Sequence, residues 1–241
     1  MIKLIYFLFE IVIFYFKIKN KIFLSKMAQN KIKTSEDILS PKKIDISLKS
    51  VQFSKSWVFW ESYSSKTLNL SYEESNKEIY KWNDIISFFQ FWNKYPGNDI
   101  KNIFYDGTNV KYFFKEKFRI TSINIFIEGI KPMWEDEGNK GGKYFQLDYK
   151  VQKEKMDEFI NASNYQWKKL ALNLMGMNIP GADYINGIRF IDKTNFDKGK
   201  NIMFRIEVWI RKNVEENIIE DMKKYLKENL GCEKITVLDI K

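Results

Sequence analysis

Hydrophobic positions along the chain switch between unbroken runs, strict alternation and helical spacing, and the switches mark out elements from residue 51 onward. Trp57-Val58-Phe59-Trp60 is continuously apolar, which predicts a strand covered on both faces. Ile85, Phe88, Phe89 and Trp92 recur at helical spacing, with Asn83 placed to cap that helix and Pro96-Gly97 to end it. Ile123, Ile125 and Ile127 alternate with other residues, so a strand leads directly into a loop containing Trp134. Gly142–Tyr149 alternates again, with Tyr144, Gln146 and Asp148 on one face and Phe145, Leu147 and Tyr149 on the other. A second helix carries Trp167, Leu170, Leu174 and Met175 and stops at Gly176, a natural left-handed cap.

Asn201–Ile210 reads as a long strand, with Ile202, Phe204, Ile206, Val208 and Ile210 on one face. Met203, Arg205, Glu207 and Trp209 share its other face. A third helix starts near Asn213, carries Ile218, Ile219, Met222, Tyr225 and Leu226, and ends at Leu230-Gly231. Glu220 and Lys224 form a favourable i,i+4 pair on it. Ile235–Ile240 is the last strand, and there are no internal repeats. Strands outnumber helices, and the helices sit between strand hairpins. The pattern predicts an α+β fold, a single curved antiparallel sheet with helices on one side.

The amino-terminal residues stand apart from this pattern. Residues 1–26 are apolar and aromatic, with Glu10 in the middle and Lys17, Lys19 and Lys21 behind. A signal anchor is one reading, although the apolar run is shorter than the ~20 residues that span a bilayer. There is also no small-residue cleavage site. The other reading is an extension of the reading frame upstream of a start at Met27. Residues 27–50 are polar and Lys-rich, as in a disordered arm, and residues 51–241 form a single domain.

Composition narrows the chemistry. Histidine is absent, which removes Ser-His and Cys-His nucleophiles and most zinc sites. A lone Cys232 excludes an internal disulfide and fits a reducing compartment. Carboxylates, Lys and Tyr remain for catalysis, so a binding protein, with no enzyme activity and no cofactor or metal, is the simpler expectation. The net charge of +9 suggests nucleic acid, but residues 1–43 hold nine Lys against Glu10, Glu36 and Asp37. That leaves about a third of the excess for the domain, so bulk charge does not identify its partner. The seven Trp carry more information than the 20 Phe and 13 Tyr, because AT-rich codon usage inflates Phe and Tyr but not Trp.

The run Gly129-Ile130-Lys131-Pro132-Met133-Trp134-Glu135-Asp136-Glu137, followed by Gly141-Gly142-Lys143-Tyr144, sets an indole beside a carboxylate at the end of a strand. An indole stacks on a flat ring and binds a cationic ring best. A carboxylate next to it accepts two N–H bonds from the edge of a guanine, a pairing suited to a positively charged purine such as 7-methylguanine. Taken alone, Trp134 is an ordinary packing indole and Glu135-Asp136-Glu137 a solvated acidic turn, and Asp136 and Glu137 are expected to stay so. Trp57, Trp60, Trp92 and Trp167 are expected in the core, and Cys232 has no evident role.

With this run in place, and with SWVFW, the helix after Asn83 and the Trp167 helix ending at Leu174-Met175-Gly176 around it, the chain resembles the eukaryotic translation initiation factor 4E family, the mRNA cap-binding proteins. The resemblance runs from Val51 to the carboxy terminus. It implies a cap slot on the concave side of the sheet, with the helices on the convex side. It also implies roles by position. Trp134 and Tyr72 would sandwich the methylated base, Tyr72 standing where most members carry Trp after two extra residues. Glu135 would take the ring N–H and the exocyclic amine, and Trp209 would touch the methyl group. Arg205 would hold phosphate, joined by Lys193, by Lys198 or Lys200 from the insertion at residues 194–200, and by Lys143, where Arg is usual.

The resemblance further implies a second surface for a helical YxxxxLΦ peptide from the scaffold factor 4G or a 4E-binding repressor. Ile85, Phe89, Lys169, Leu172 and Gly176 fall at its contact positions. Phe89 replaces a Trp, and Lys169 stands where the family carries an acidic residue. The implied function is cap binding that recruits mRNA for translation, or a cap-binding repressor that does not engage the usual scaffold. The expected location is the cytoplasm, with the nucleus also open. A different class of function, metal-assisted hydrolysis by Glu135, Asp136 and Glu137, has no fixed ligand spacing behind it.

Overall fold

The computed structural model describes residues 51–240, apart from 66, 107, 110, 112–117, 195–201 and 233. The readings of residues 1–26 and 27–50, and of Lys198 and Lys200, lie outside the described residues. Seven strands form one sheet: β1 (Gln52–Ser65), β2 (Asn76–Asp84), β3 (Phe118–Ile127), β4 (Lys143–Val151), β5 (Ile185–Asp192), β6 (Ile202–Ile210) and β7 (Ile235–Asp239). Their order is β2-β1-β3-β5-β6-β4-β7, and every neighbouring pair is antiparallel. Four α-helices connect them: α1 (Tyr72–Ser75), α2 (Ile85–Lys94), α3 (Met156–Met175) and α4 (Glu216–Leu230). The expected α+β architecture is the observed one.

The two faces of the sheet differ because side chains alternate along each strand. One face carries Phe59, Phe190 and Phe204, each at most 1% exposed. These rings pack on the helices: Phe59 lies 4.9 Å from Phe91 of α2, and Phe204 5.0 Å from Phe159 of α3. Trp167 of α3 meets Phe190 edge-on at 5.8 Å. Each such Phe contributes roughly 1.5–3 kcal/mol by leaving water. The helix side therefore holds the fold together, and the other face is free to carry polar chemistry.

Several elements depart from the sequence-based expectation in detail. The cap of α2 is Asp84 rather than Asn83: its carboxylate accepts from the Ser87 backbone N–H at 2.8 Å and from the Ser87 hydroxyl at 2.6 Å. Gly176 has φ −81° and is not left-handed; the left-handed residue is Met177 at φ 55°. Helix α4 begins at Glu216, after the chain turns at Asn213 with φ 62°. Glu220 pairs with Lys223 at 3.2 Å instead of with Lys224. Two strands have no clear hydrophobic signature. Among the described residues, edge strand β2 pairs only with β1 and is mostly exposed, while β5 is buried on both faces yet includes Asn186, Arg189 and Asp192. Among the described residues, no helix is long and apolar enough to cross a membrane.

Candidate functional site

The connection from β3 to β4 carries Trp134 and Glu135, and its own hydrogen bonds give it a definite shape. Asn139, wholly buried, donates to the carbonyls of Lys131 and Met133, each at 2.8 Å. Asn186 on β5 donates to the Gly138 carbonyl at 2.6 Å and to the Asn139 side-chain oxygen at 3.1 Å. The Asp136 carboxylate accepts from the backbone N–H of Lys131 and of Gly138, both at 2.9 Å. Asp136 is therefore a loop staple rather than the solvated acid expected. Glu137 is exposed and, among the described residues, pairs with Lys140 at 3.3 Å.

On this braced loop, Trp134 is 48% exposed, and Glu135 is also exposed. Glu135 makes no hydrogen bond or ion pair to another described residue. The loop thus presents a rigidly mounted indole and an unengaged carboxylate side by side, which suits them to a ligand rather than to folding.

Tyr72 lies against the same loop, 44% exposed. It is the first residue of α1, a single turn held by a capping box. The Ser71 hydroxyl accepts from the Glu74 N–H at 3.2 Å, and the Glu74 carboxylate accepts from the Ser71 N–H at 2.9 Å. The Tyr72 phenol donates to the Pro132 carbonyl at 3.1 Å, and Lys131 Nζ pairs with Glu73 at 2.5 Å. Two contacts thus join the Tyr72 turn to the Trp134 loop. Lys131 holds the Glu73 carboxyl below its ordinary value by hydrogen bond and charge, and Glu73 raises the Lys131 ammonium in the same way. The Ser-Tyr-Glu-Glu run at residues 71–74 is a local sequence signal for this turn.

Below the loop, the face of the sheet away from α2 and α3 is organised in rows set by strand register. The first row is Phe126, Gly187, Trp209 and Tyr144, successive partners on β3, β5, β6 and β4. Gly187 is required there, because an added Cβ would lie 2.4 Å from the Phe126 ring. Phe126 instead reaches across and meets Trp209 edge-on at 5.5 Å. Trp60 and Ile130 pack against this cluster, so Trp60 is half-buried on the site face rather than in the helix-side core.

Trp209, expected at the methyl group, lies deep in this row. It is 0% exposed, its indole N–H donates to Glu207 at 2.9 Å, and the Arg189 guanidinium lies 5.4 Å from its ring centre. Rings from the neighbouring strands cover it, so it offers no surface to a methyl group and acts as floor beneath the loop. Tyr144, beside it, has its phenol pushed up by burial and by the negative charge of Glu207.

The second row is Asn124, Arg189, Glu207 and Gln146, again register partners. Arg189 donates to Asn124 at 2.9 Å and pairs with Glu207 at 3.4 Å, both ion-pair partners being buried. Asn124 donates to the Ser62 hydroxyl at 3.1 Å, and Ser62 to Asn76 at 2.6 Å. Asn76 then donates to the Tyr72 carbonyl at 2.6 Å. A continuous polar chain therefore runs from the sheet interior to the Tyr72 turn. Sequence reading missed Arg189, Asn124, Ser62 and Asn76 in this role; their polar positions within otherwise apolar strands were the available signal.

The third row contains Arg205 and Asp148, which face each other on β6 and β4. Arg205 Nε bonds Asp148 at 2.6 Å, and its Nη1 lies 3.7 Å from Glu207. Arg205 does share a face with Trp209, as expected, but it is already paired. Lys193 is exposed, just beyond β5. Lys143 falls on the helix side with Phe145 and Leu147 and pairs with Asp239 at 2.8 Å. Alternation along β4 places it on the opposite face from Tyr144.

The expected partner-binding residues lie on the opposite, helical side. Ile85, Phe89 and Leu172 are buried at 3%, 8% and 8% exposure, whereas Lys169 and Gly176 are half-buried. The Trp82 indole bonds Met175 of α3 at 2.8 Å and packs on Phe88 of α2 at 5.3 Å, linking the two helices through one side chain. Lys169 Nζ donates to Asn229 of α4 at 3.2 Å.

The structure is thus a single open antiparallel sheet backed by helices, with an exposed indole and an exposed phenol at the end of its other face. The chain belongs to the eukaryotic initiation factor 4E family, whose sequence model matches residues 52–240. A curated relative, eukaryotic translation initiation factor 4E of Dictyostelium discoideum, is 26% identical over 72% of this chain, which spans only 58% of that relative's length. Among solved structures, the fold is similar to C. elegans eIF4E-3 in complex with the 4E-binding protein Mextli. That match has a TM-score of 0.58 at 19% identity and covers 78% of this chain and 92% of that one. Ascaris suum eIF4E-3 with the m2,2,7G cap gives 0.56 at 18% identity, covering 78% and 89%. Schistosome eIF4E with m7GpppG and 4E-BP gives 0.55 at 18% identity, covering 79% and 88%.

Proposed function

We propose that this protein binds the 7-methylguanosine cap of mRNA between Tyr72 and Trp134, with Glu135 accepting from the guanine edge, and so delivers mRNA to translation initiation in the cytoplasm. The observation that carries the reading is the pairing of an exposed indole with an unengaged carboxylate on a loop whose other polar groups are bonded. Family membership supports it, as do solved structures of similar fold that hold cap analogues. Methylation at N7 makes the base cationic, so each ring gains a cation–π attraction of ~0.5–2 kcal/mol beyond stacking of ~1–3 kcal/mol. An ionised Glu135 adds a charge-assisted, two-donor contact. Nothing in this scheme requires catalysis. Titration with 7-methylguanosine triphosphate should quench Trp fluorescence, whereas GTP should bind far more weakly; equal affinity for the two would overturn the assignment.

The helical side, around Phe89, Leu172 and Gly176, is the proposed seat of a scaffold factor 4G or 4E-binding peptide, and similar folds solved with 4E-binding proteins support a partner of this kind. A second role, holding the cap as a repressor without engaging the usual scaffold, is favoured by Lys169, a cation half-buried between α3 and α4. Such a cation repels a basic partner. Pull-downs with a scaffold peptide and with a repressor peptide separate the two roles.

A further inference from the structure

We propose that Asp148 sets the phosphate preference of the cap slot by competing with the ligand for Arg205. The inference rests on the cap-binding reading and goes beyond it, because it concerns which part of the ligand this chain favours.

Arg205 is the nearest arginine to solvent in the polar rows, yet its guanidinium is engaged. Its Nε bonds one Asp148 oxygen at 2.6 Å, and its Nη2 approaches the other at 3.3 Å, a two-pronged grip. Its Nη1 lies 3.7 Å from Glu207. Asp148 also accepts from Gln146 at 2.7 Å. Arg189, in the next row, is committed to Glu207 and Asn124. The rows thus hold two arginines against two carboxylates, with no net positive charge to offer an anion.

The geometry puts this pair within reach of a cap's phosphates. Asp148 and Arg205 lie on the same face as Tyr144 and Trp209, four residues further along β4 and β6, or roughly 13 Å from the loop end of the sheet. A nucleotide whose base sits beside Trp134 at that end can only extend its phosphates over this face or away from the protein. A phosphate approaching Arg205 meets Asp148 first, because the carboxylate side chain is 36% exposed while Arg205 is 18% exposed. Either the phosphate displaces Asp148, losing a charge-assisted bidentate contact, or it stays clear of Arg205. The chain therefore takes less of its affinity from phosphate and more from the base than an unopposed arginine would allow.

The test compares 7-methylguanosine, 7-methylguanosine triphosphate and GTP on the full chain and on Asp148→Asn and Asp148→Ser variants, with folding checked by thermal melting. Competition predicts that both variants bind the triphosphate at least threefold more tightly and the nucleoside unchanged. The gain should vanish when Arg205→Ala is combined with Asp148→Asn. If Asp148 instead orients Arg205 for phosphate, the variants bind the triphosphate more weakly, and the proposal is overturned; an unchanged affinity overturns it too. If the wild-type chain binds neither methylated ligand better than GTP, the failure lies in the cap-binding reading itself.

Discussion

The phenol of Tyr72 donates a 3.1 Å hydrogen bond to the carbonyl of Pro132, tying the short helix after β1 to the loop that carries Trp134. Two aromatic side chains far apart in sequence are thereby held to one end of the sheet. Removing only the hydroxyl, as Tyr72→Phe, should weaken cap binding by about fivefold, the worth of one net hydrogen bond of ~1 kcal/mol. Tyr72→Ala should cost more, because it also removes a stacking face of ~1–3 kcal/mol. Fluorescence titration measures both; equal losses would mean that the ring itself contributes nothing.

Trp134 and Glu135 should separate under mutation. Trp134→Ala is expected to abolish the preference for methylated over plain guanine, since the cation–π contribution goes with the ring. Glu135→Gln should weaken both ligands by removing the charge-assisted contact, roughly 1.5–3 kcal/mol. Stability should change little in either case, because both side chains are exposed. Calorimetric titration beside a thermal melt checks this; a large fall in Tm would show a structural role instead.

Asn139 is expected to matter for binding although it is wholly buried and cannot touch a ligand. Asn139→Ala takes one donor each from the Lys131 and Met133 carbonyls, which keep the Met133 and Asp136 backbone N–H, and one acceptor from the Asn186 amide. Each lost hydrogen bond is worth about 0.5–1.5 kcal/mol. Cap affinity and Tm should fall together. Normal affinity at a lowered Tm would show that the loop shape does not depend on it.

The Glu73–Lys131 tether gives the slot a defined pH window. The Glu73 carboxyl lies below its ordinary 4.5 when folded, so its contribution is complete above that value and is lost as pH falls through the folded one. The Lys131 ammonium lies above 10.5, so its contribution is complete below that value and disappears as pH rises through the folded one. Between these limits the tether should leave cap affinity flat with pH. Lys131→Met should remove the acid-side and alkaline-side losses that this pair causes; a variant profile identical to wild type would show that the tether plays no part.

Breaking the buried Arg189–Glu207 pair should unfold the domain more readily than any change in the slot. Glu207→Gln leaves Arg189 buried without its counter-charge, an expected cost of about 3–5 kcal/mol. Urea unfolding measures this; a loss below ~1 kcal/mol would mean that the pair is not load sharing with Trp209 and Asn124.

Much of the fold can be read in the residue pattern because most elements obey a single period. The strands containing Ile123–Ile127 and Ile202–Ile210, and the helix through Trp167, fall where alternation or helical spacing puts them. Strand β2 escapes because an edge strand needs little apolar patterning. Strand β5 escapes because its buried polar residues are satisfied by partners on β3, β6 and the Trp134 loop, all distant in sequence. Within the site, Trp134 and Glu135 stand out because a short local motif exposes them. The engagement of Arg205 by Asp148 depends on which strands are neighbours, and no local pattern encodes that.

Trp134 and Trp209 show where the division falls. Sequence alone determined the elements, the face of its strand on which Trp209 sits, and the presence of an indole next to a carboxylate at the end of β3. Only the tertiary structure decided that Trp134 is half exposed while Trp209 is sealed under Phe126 and Tyr144. The reason is physical: alternation fixes which way a side chain points, but register between strands distant in sequence decides what covers it.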